Sequence, residues 1–337
     1  MIGHPWEAIP IDLSFEKFAP SKRLSVLPGV SLRKLEGPLA VSIAELASRL
    51  PVRPDFAARH VLVVNKAQYL NGLDRRLAVE AKHRDVDWVD IDGILRQVCV
   101  AISLRFRLPW VYAGSYSLER LSSGRALVSG YSHRPTVRRS DHLLRSVPGD
   151  WYRAAQGKPL AQTVVLLDPY YRSGTWRWDR LSVALGYFWS ALTTTHGELA
   201  FAAMSMALEA LCDPGKNEIA HQLAERCAIL ARRKLTDRLE TYKEVKSLYG
   251  IRSDVVHGRP RELKKGSTSK EWSKHLFVSA KRTAIPGADL LRMLNLTSDV
   301  LAGALENKTF REILQRDQGE SDARSQIDAY FFRTIFS

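Results

Sequence analysis

The chain has 337 residues and a formal net charge of +14. This length is enough for two domains of ordinary size, and a hydrophobic content of 45% with a charged content of 26% is typical of globular rather than disordered or fibrous chains. No apolar run reaches the ~20 residues of a membrane span, and the stretch MIGHPWEAIPIDLSFEKF lacks the basic-then-apolar pattern of a secretory leader.

Three cysteines, Cys99, Cys212 and Cys227, show no metal-ligand spacing. So few thiols predict reduced cysteines in a cytoplasmic protein rather than a disulfide framework. The positive charge produces a field that attracts polyanions, and nucleic acid is the commonest of these in a cytoplasm, although solubility alone is the alternative. Between Gln222 and Lys265, twelve basic residues stand against six acidic ones, a local surplus of six positive charges.

The first half of the chain has the pattern of mixed α/β structure. His60–Ala67 is a short apolar run with β-branched residues, which predicts a buried strand. Asp90–Arg107 has helical spacing and should end before Pro109. Trp110–Ser132 predicts one or two strands broken by Gly and Ser turns, and Gln162–Pro169 predicts another strand.

The second half has helical spacing throughout. Asp179–Cys212 predicts one long helix or two helices that meet at Gly197, and Gly287–Asn307 predicts a further helix. We therefore expect an α+β protein in which a mixed α/β domain, residues 1–172, is followed by an all-α bundle of four or five helices, residues 173–337.

The segment LYGIRSDVVHGRP, Leu248–Pro260, is open to two interpretations. As plain structure, Gly258 and the following proline are typical of a helix end, and the helix dipole favours a protonated His257 in the last turn. As chemistry, Ser253 and His257 share one helix face, and Arg252 lies about 140° from His257. Imidazole moves protons near neutral pH and guanidinium grips phosphate oxygens, so this group suits a phosphodiester.

The region Leu208–Gly258 resembles HEPN domains, most closely the ApeA-like kind. The matching features are the LEAL helix end, the IAHQLAERCAIL helix, and LYGIRSDVVHG with its R-x-x-x-x-H pattern. The resemblance covers about 50 residues strongly and the rest of the helical half loosely. It implies a HEPN-like bundle, but it implies nothing about the first ~170 residues except a separate N-terminal region.

The resemblance implies a metal-independent endoribonuclease, of the kind found in prokaryotic defence systems and toxins. Two copies of the helical domain would pair and bring their Arg–His motifs into one cleft. His257 would deprotonate the ribose 2′-OH or protonate the 5′-oxygen, Arg252 would hold the scissile phosphate, and Ser253 would hydrogen-bond the substrate or His257. The products would carry 2′,3′-cyclic phosphate and 5′-OH ends.

Four residues are predicted to support this site. Glu209 is a carboxylate on an otherwise apolar helix, where it either orients Arg226 or Arg252 across the bundle or is simply partly exposed. Arg226 is placed to pair with an acid. Tyr249 stacks on a base or only packs, and Asp254 either repels RNA or pairs with a nearby arginine.

The predicted partners are RNA, a second copy of the chain and a regulatory protein or antitoxin, with no membrane. The sequence has no Walker, G-x-S-x-G or H-E-x-x-H motif, and we expect no cofactor and no metal. A non-catalytic RNA-binding or dimerisation scaffold is the alternative function. Six cations near the motif are predicted to bind RNA: Arg232, Arg233, Lys234, Lys246, Arg259 and Arg261.

Overall fold

The structure is a computed structural model. It describes residues 6–11, 24–48, 60–71, 91–106, 111–122, 125–138, 157–171, 179–194, 196–215, 217–231, 235–256, 287–316 and 320–335. The described residues fall into two compact units, one up to Tyr171 and one from Asp179 onward, and each is described by itself.

The first unit is built on a six-stranded sheet in which every neighbouring pair is antiparallel. The spatial order of the strands is β2-β3-β4-β1-β5-β6. Their bounds are β1 Trp6–Ile11, β2 Leu24–Leu27, β3 Val30–Lys34, β4 His60–Asn65, β5 Val111–Ser122 and β6 Arg125–Arg138. The strand predicted from His60 is therefore confirmed, and the segment after Pro109 forms two strands.

Strand β4 lies inside the sheet because its side chains are apolar on both faces. Residues Val61–Val64 are all buried, and β4 pairs with β3 on one side and β1 on the other. The β2–β3 turn approaches the end of β4 closely, where the Asn65 amide donates to the Gly29 carbonyl at 2.7 Å. Gly29 has a φ of +70°, and a Cβ there would lie 2.6 Å from the Asn65 carbonyl oxygen, so this turn requires glycine.

Among the described residues of this unit, four helices accompany the sheet: α1 Gly37–Ser48, α2 Lys66–Asn71, α3 Ile91–Phe106 and α4 Gly157–Tyr171. Helix α3 agrees with the helix predicted before Pro109. The strand predicted at Gln162–Pro169 is wrong, because these residues lie in α4. Leu160, Val164 and Leu167 are buried there while Val165 is exposed, a helical period that the run of β-branched residues obscures.

Helices α3 and α4 pack against each other. The buried Gln97 side chain of α3 donates from Nε2 to the Val164 carbonyl of α4 at 2.6 Å. A second hydrogen bond between the two helices runs from Arg105 Nε of α3 to Thr163 Oγ1 of α4, so the buried polar groups of this contact are paired. Cys99 of α3 is fully buried, and burial raises the pKa of its thiol.

The regular secondary structure of the second unit is all helical within the described residues. Asp179–Cys212 forms two helices, of which the second begins at Gly197. The bounds are α5 Arg180–Thr193, α6 Gly197–Cys212, α7 Ile219–Ala231, α8 Leu235–Val256, α9 Gly287–Glu306, α10 Lys308–Arg316 and α11 Glu320–Ile335.

Helix α9 is the centre of the second unit and packs against α5, α6, α7, α8 and α10. Almost every residue from Leu290 to Leu305 is buried, including Thr297 and Ser298. Helices α7 and α9 come so close at Gly303 that a Cβ there would overlap the Leu230 carbonyl, whose carbon would be 2.9 Å away. A glycine at this crossing lets the two backbones touch.

The chain thus has an α+β layout, with an antiparallel sheet and its helices followed by a helical unit. None of the helices in the described ranges is both long enough and apolar enough to cross a lipid bilayer.

Gly303→Ala should lower the free energy of unfolding by about 1–3 kcal/mol, since the added methyl group forces α7 and α9 apart. Gly250→Ala is the matched control, because Gly250 is exposed in α8 with nothing within 4 Å of the added Cβ. This control should raise stability by about 0.5–1 kcal/mol, as alanine restricts the unfolded chain more than glycine does. Chemical denaturation measures the free energy of unfolding of both variants. Equal changes in the two would contradict the close approach of α7 and α9 at Gly303.

Candidate functional site

Helix α8 carries Arg252, the arginine of the Arg–His motif, near its C-terminal end. Val245, Leu248 and Ile251 are buried and hold one side of the helix against the bundle. The helix is described as far as Val256, so Arg252 is placed while His257, the next residue, lies outside the described residues.

Arg252 forms an ion pair with Glu209 of the neighbouring helix α6. One guanidinium nitrogen, Nη2, lies 3.1 Å from Glu209 Oε1 and 3.3 Å from Oε2. The Glu209 side chain is 25% exposed and that of Arg252 is 22% exposed, so both charges are partly withdrawn from water. The structure therefore brings Glu209 to Arg252 and not to Arg226, the other partner that the sequence left open.

Tyr249 completes this group one helical turn before Arg252. The Arg252 Cζ atom lies over the Tyr249 ring, 5.4 Å from its centroid. A guanidinium held between a carboxylate and an aromatic face loses much of its rotational freedom. The three residues, Glu209, Tyr249 and Arg252, are called the arginine cluster below.

Burial is the main influence on the pKa values of Glu209 and Tyr249. Burial raises the pKa of Glu209, and the charge and hydrogen bond of Arg252 pull this pKa down without cancelling the effect. Burial likewise raises the pKa of Tyr249; the Glu209 carboxylate raises it further, and Arg252 opposes both. The carboxylate is thus costly to ionise where it stands, and Arg252 offsets only part of that cost.

Arg252 keeps donors that Glu209 does not use. Its Nε–H is buried and has no hydrogen-bond partner among the described residues, and its contact with Glu209 goes through Nη2 alone. A guanidinium has five N–H donors in a rigid fork that matches phosphate oxygens. Because Nε is buried and Nη2 bonds to Glu209, Nη1 is the donor that can reach a phosphate while the carboxylate holds the guanidinium in place.

Arg226 has a different environment. Its Nη1 donates to the Cys212 and Asp213 carbonyls at 2.7 and 2.8 Å, its Nη2 contacts Asp328 Oδ1 at 2.5 Å, and its guanidinium lies 5.2 Å from the centre of the Phe331 ring. Arg226 thus neutralises the C-terminal carbonyls of α6 and ties α7 to α11. It pairs with an acid, as expected, but does not touch the arginine cluster.

The other predicted residues of α8 lie around the arginine cluster. Ser253 and Asp254 are half-buried and Lys246 is exposed. Of the predicted RNA-binding cations, Lys246 alone lies in the part of the chain that the structure describes. The remainder, Arg232, Arg233, Lys234, Arg259 and Arg261, lie outside the described residues, as does His257.

Two contacting residues were missed by the sequence reasoning. His221 of α7 and Tyr242 of α8 are joined by a hydrogen bond of 2.6 Å between His221 Nδ1 and the Tyr242 hydroxyl, and their rings meet edge to face. In the sequence, Tyr242 falls at an apolar position of the helical repeat, and nothing there relates it to His221. Lys246 Nζ lies 5.6 Å from the Tyr242 ring centroid.

The two buried thiols of this unit are neighbours. Cys212 Sγ of α6 lies 3.7 Å from Cys227 Sγ of α7. Burial is the main cause that raises the pKa of Cys227, and the contact with Cys212 raises it further. High thiol pKa values disfavour the thiolate that binds metals. Within the described ranges, no three His, Cys, Asp or Glu side chains are grouped to hold a metal ion.

Comparison with known proteins returns no match: no family model, no curated protein and no solved structure is similar to this chain. The residues of the arginine cluster and their geometry are therefore the basis for a functional proposal.

Glu209→Gln should remove a pH dependence of stability. The pKa of Glu209 in the folded chain is raised above its unfolded value of about 4.3. At a pH between these two pKa values, the folded chain therefore binds more protons than the unfolded chain. Stability of the wild type should therefore fall, relative to Glu209→Gln, as the pH rises from about 4 through the folded pKa. Denaturant titrations across this range measure the difference.

Glu240→Gln, which removes an exposed carboxylate of α8, is the control and should leave that trend in place. A wild type that instead gains stability relative to Glu209→Gln as the pH rises would mean that the ion pair with Arg252 outweighs burial.

Proposed function

We propose that the chain is a metal-independent endoribonuclease in which the helical unit is a HEPN-type bundle. The observation that carries the proposal is the placement of Arg252 by Glu209 and Tyr249 near the end of α8, with N–H donors that Glu209 does not use. His257 is five residues further along the chain, the spacing of the Arg–His motif. The resemblance of Leu208–Gly258 to HEPN domains supports the same function.

The chemistry needs no cofactor. The ribose 2′-oxygen attacks phosphorus as its proton passes to a base, the bond from phosphorus to the 5′-oxygen breaks, and an acid protonates that oxygen. The products carry a 2′,3′-cyclic phosphate and a 5′-OH. His257 serves as base or acid because imidazole exchanges protons near neutral pH, and Arg252 stabilises the extra negative charge on the phosphoryl oxygens.

A homodimer supplies both proton-transfer roles. One imidazole accepts the 2′ proton and a second donates to the 5′-oxygen, so two copies of the chain provide a base and an acid on opposite sides of one phosphate. Ser253, four residues before His257 in the chain, hydrogen-bonds the substrate or the imidazole. A nuclease of this kind damages its own cell unless restrained, so we propose a defence or toxin role with a regulatory partner.

A non-catalytic scaffold is the second candidate, and one observation favours it. Arg252 is already engaged by Glu209 and Tyr249, as a purely structural arginine would be. In this case the helical unit binds RNA or a second copy of the chain, and replacing Arg252 costs stability rather than activity.

Wild-type protein should cleave single-stranded RNA in EDTA, and His257→Ala and Arg252→Ala should each lower the rate at least about 100-fold, the usual size of a lost acid–base or charge-stabilising group. Gel analysis with end-group chemistry should detect 2′,3′-cyclic phosphate products. Arg252→Lys should recover only part of the rate, since an ammonium lacks the guanidinium fork.

Lys308→Ala is the matched control, because it removes a cation of the same unit whose side chain is 83% exposed on α10. Its cleavage rate should equal that of the wild type. Cleavage that persists in His257→Ala would eliminate the site, and RNA binding without any cleavage by the wild type would establish the scaffold instead.

A further inference from the structure

Four polar side chains of α8 lie in a row on one side of the helix. At 100° per residue, Tyr242, Lys246, Tyr249 and Ser253 fall within about 60° of one another around the helix axis. We call this row the tyrosine stripe. Its two rings are seven residues apart, or about 10.5 Å along the axis, and the stripe ends beside Arg252.

Each tyrosine ring of the stripe holds a cation. Lys246 Nζ lies 5.6 Å from the Tyr242 centroid, and Arg252 Cζ lies 5.4 Å from the Tyr249 centroid. Tyr242 is itself fixed by the 2.6 Å hydrogen bond to His221 of α7. The ring therefore has a defined orientation although it is only half-buried. Aromatic groups and cations thus alternate along the surface in fixed positions.

The charges of α8 are separated by face, although they balance in number. On the helical wheel of Leu235–Val256, one half of the circumference holds all the cations and the remaining sector holds all the acids. The cations are Arg238, Lys243, Lys246 and Arg252, and the acids are Asp237, Glu240, Glu244 and Asp254. The tyrosine stripe runs within the cationic half, so this face fits a polyanion.

We infer that single-stranded RNA runs along the tyrosine stripe, with bases on Tyr242 and Tyr249 and backbone phosphates on Lys246 and Arg252. This inference rests on the proposed function and assigns the path by which RNA reaches the arginine cluster. Base-paired RNA hides the faces of its bases, whereas an unpaired strand can splay them onto aromatic rings. Two rings about 10.5 Å apart suit splayed bases, since continuously stacked ones follow at about 3.4 Å.

Fluorescence anisotropy with a labelled, unstructured RNA tests the path, in a His257→Ala background so that cleavage does not consume the probe. Tyr242→Ala should weaken binding about tenfold or more through lost stacking, whereas Tyr242→Phe, which keeps the ring, should bind within about twofold of the parent. Lys246→Ala should weaken binding and reduce the slope of log Kd against log salt by about one.

Matched controls separate the stripe from general charge and folding effects. Tyr187→Ala removes a half-buried tyrosine of α5, and Lys308→Ala removes an exposed lysine of α10. Both should bind RNA as the parent does. Photo-crosslinking of the parent to 4-thiouridine RNA, followed by mass spectrometry, should place adducts on Tyr242 or Tyr249, and it needs no substitution in the stripe.

The path is overturned if crosslinks fall elsewhere, if duplex RNA binds as tightly as single strands, or if the stripe variants match their controls. These outcomes are separable from the nuclease test. Wild-type cleavage with no effect of Tyr242→Ala or Lys246→Ala on binding rejects the path alone. Stripe-dependent binding by a wild type that cuts nothing rejects the nuclease alone.

Discussion

The helical unit depends on the burial of one helix, α9. Helices α5, α6, α7, α8 and α10 all pack against it, and almost all of its apolar side chains from Leu290 to Leu305 are buried among them. Burial of this much apolar surface is the main stabilising contribution available to such a unit. The close approach at Gly303 shows how little space remains between α9 and α7. Because α6 and α8 rest on the same core, their relative position is fixed.

This fixed position decides where the arginine cluster can form. Glu209 projects from α6 and Arg252 from α8, and their charged groups form an ion pair that is partly withdrawn from water. A half-buried carboxylate without a partner would be costly, and so would a half-buried guanidinium. The geometry holds Arg252 in one orientation through Nη2 and leaves donors that Glu209 does not use, as a phosphate-binding arginine requires. The same contact that stabilises the resting chain thus also positions the group proposed to bind RNA.

Sequence patterns identified some of these features and missed others, for physical reasons. A continuous apolar run located β4, and helical periodicity located α3 and the helical character of Asp179–Cys212, while the choice between one helix and two at Gly197 stayed open. It failed at Gln162–Pro169, where β-branched residues favour a strand locally while packing against α3 imposes a helix.

The same distinction applies within the candidate site. The sequence identified Arg252, Tyr249 and Glu209 as candidate residues but left the partner of Glu209 undecided, because pairing between helices is a property of the fold. It also missed His221, whose contact with Tyr242 depends on how α7 and α8 cross.

The contact of Arg226 with Asp328 has a consequence for experiments on shortened forms of the chain. Asp328 belongs to α11 and supplies the counter-charge for the Arg226 guanidinium. Among the described residues, the other hydrogen bonds of this guanidinium go to the Cys212 and Asp213 carbonyls, and Arg226 is 8% exposed. A fragment that stops before Glu320 would keep those two acceptors and lose the carboxylate. The Arg226 guanidinium would then stand beside the end of α6 without its carboxylate partner. The fragment would also lack α11, about four helical turns of chain. Glu209 of the arginine cluster lies only one turn before this end of α6.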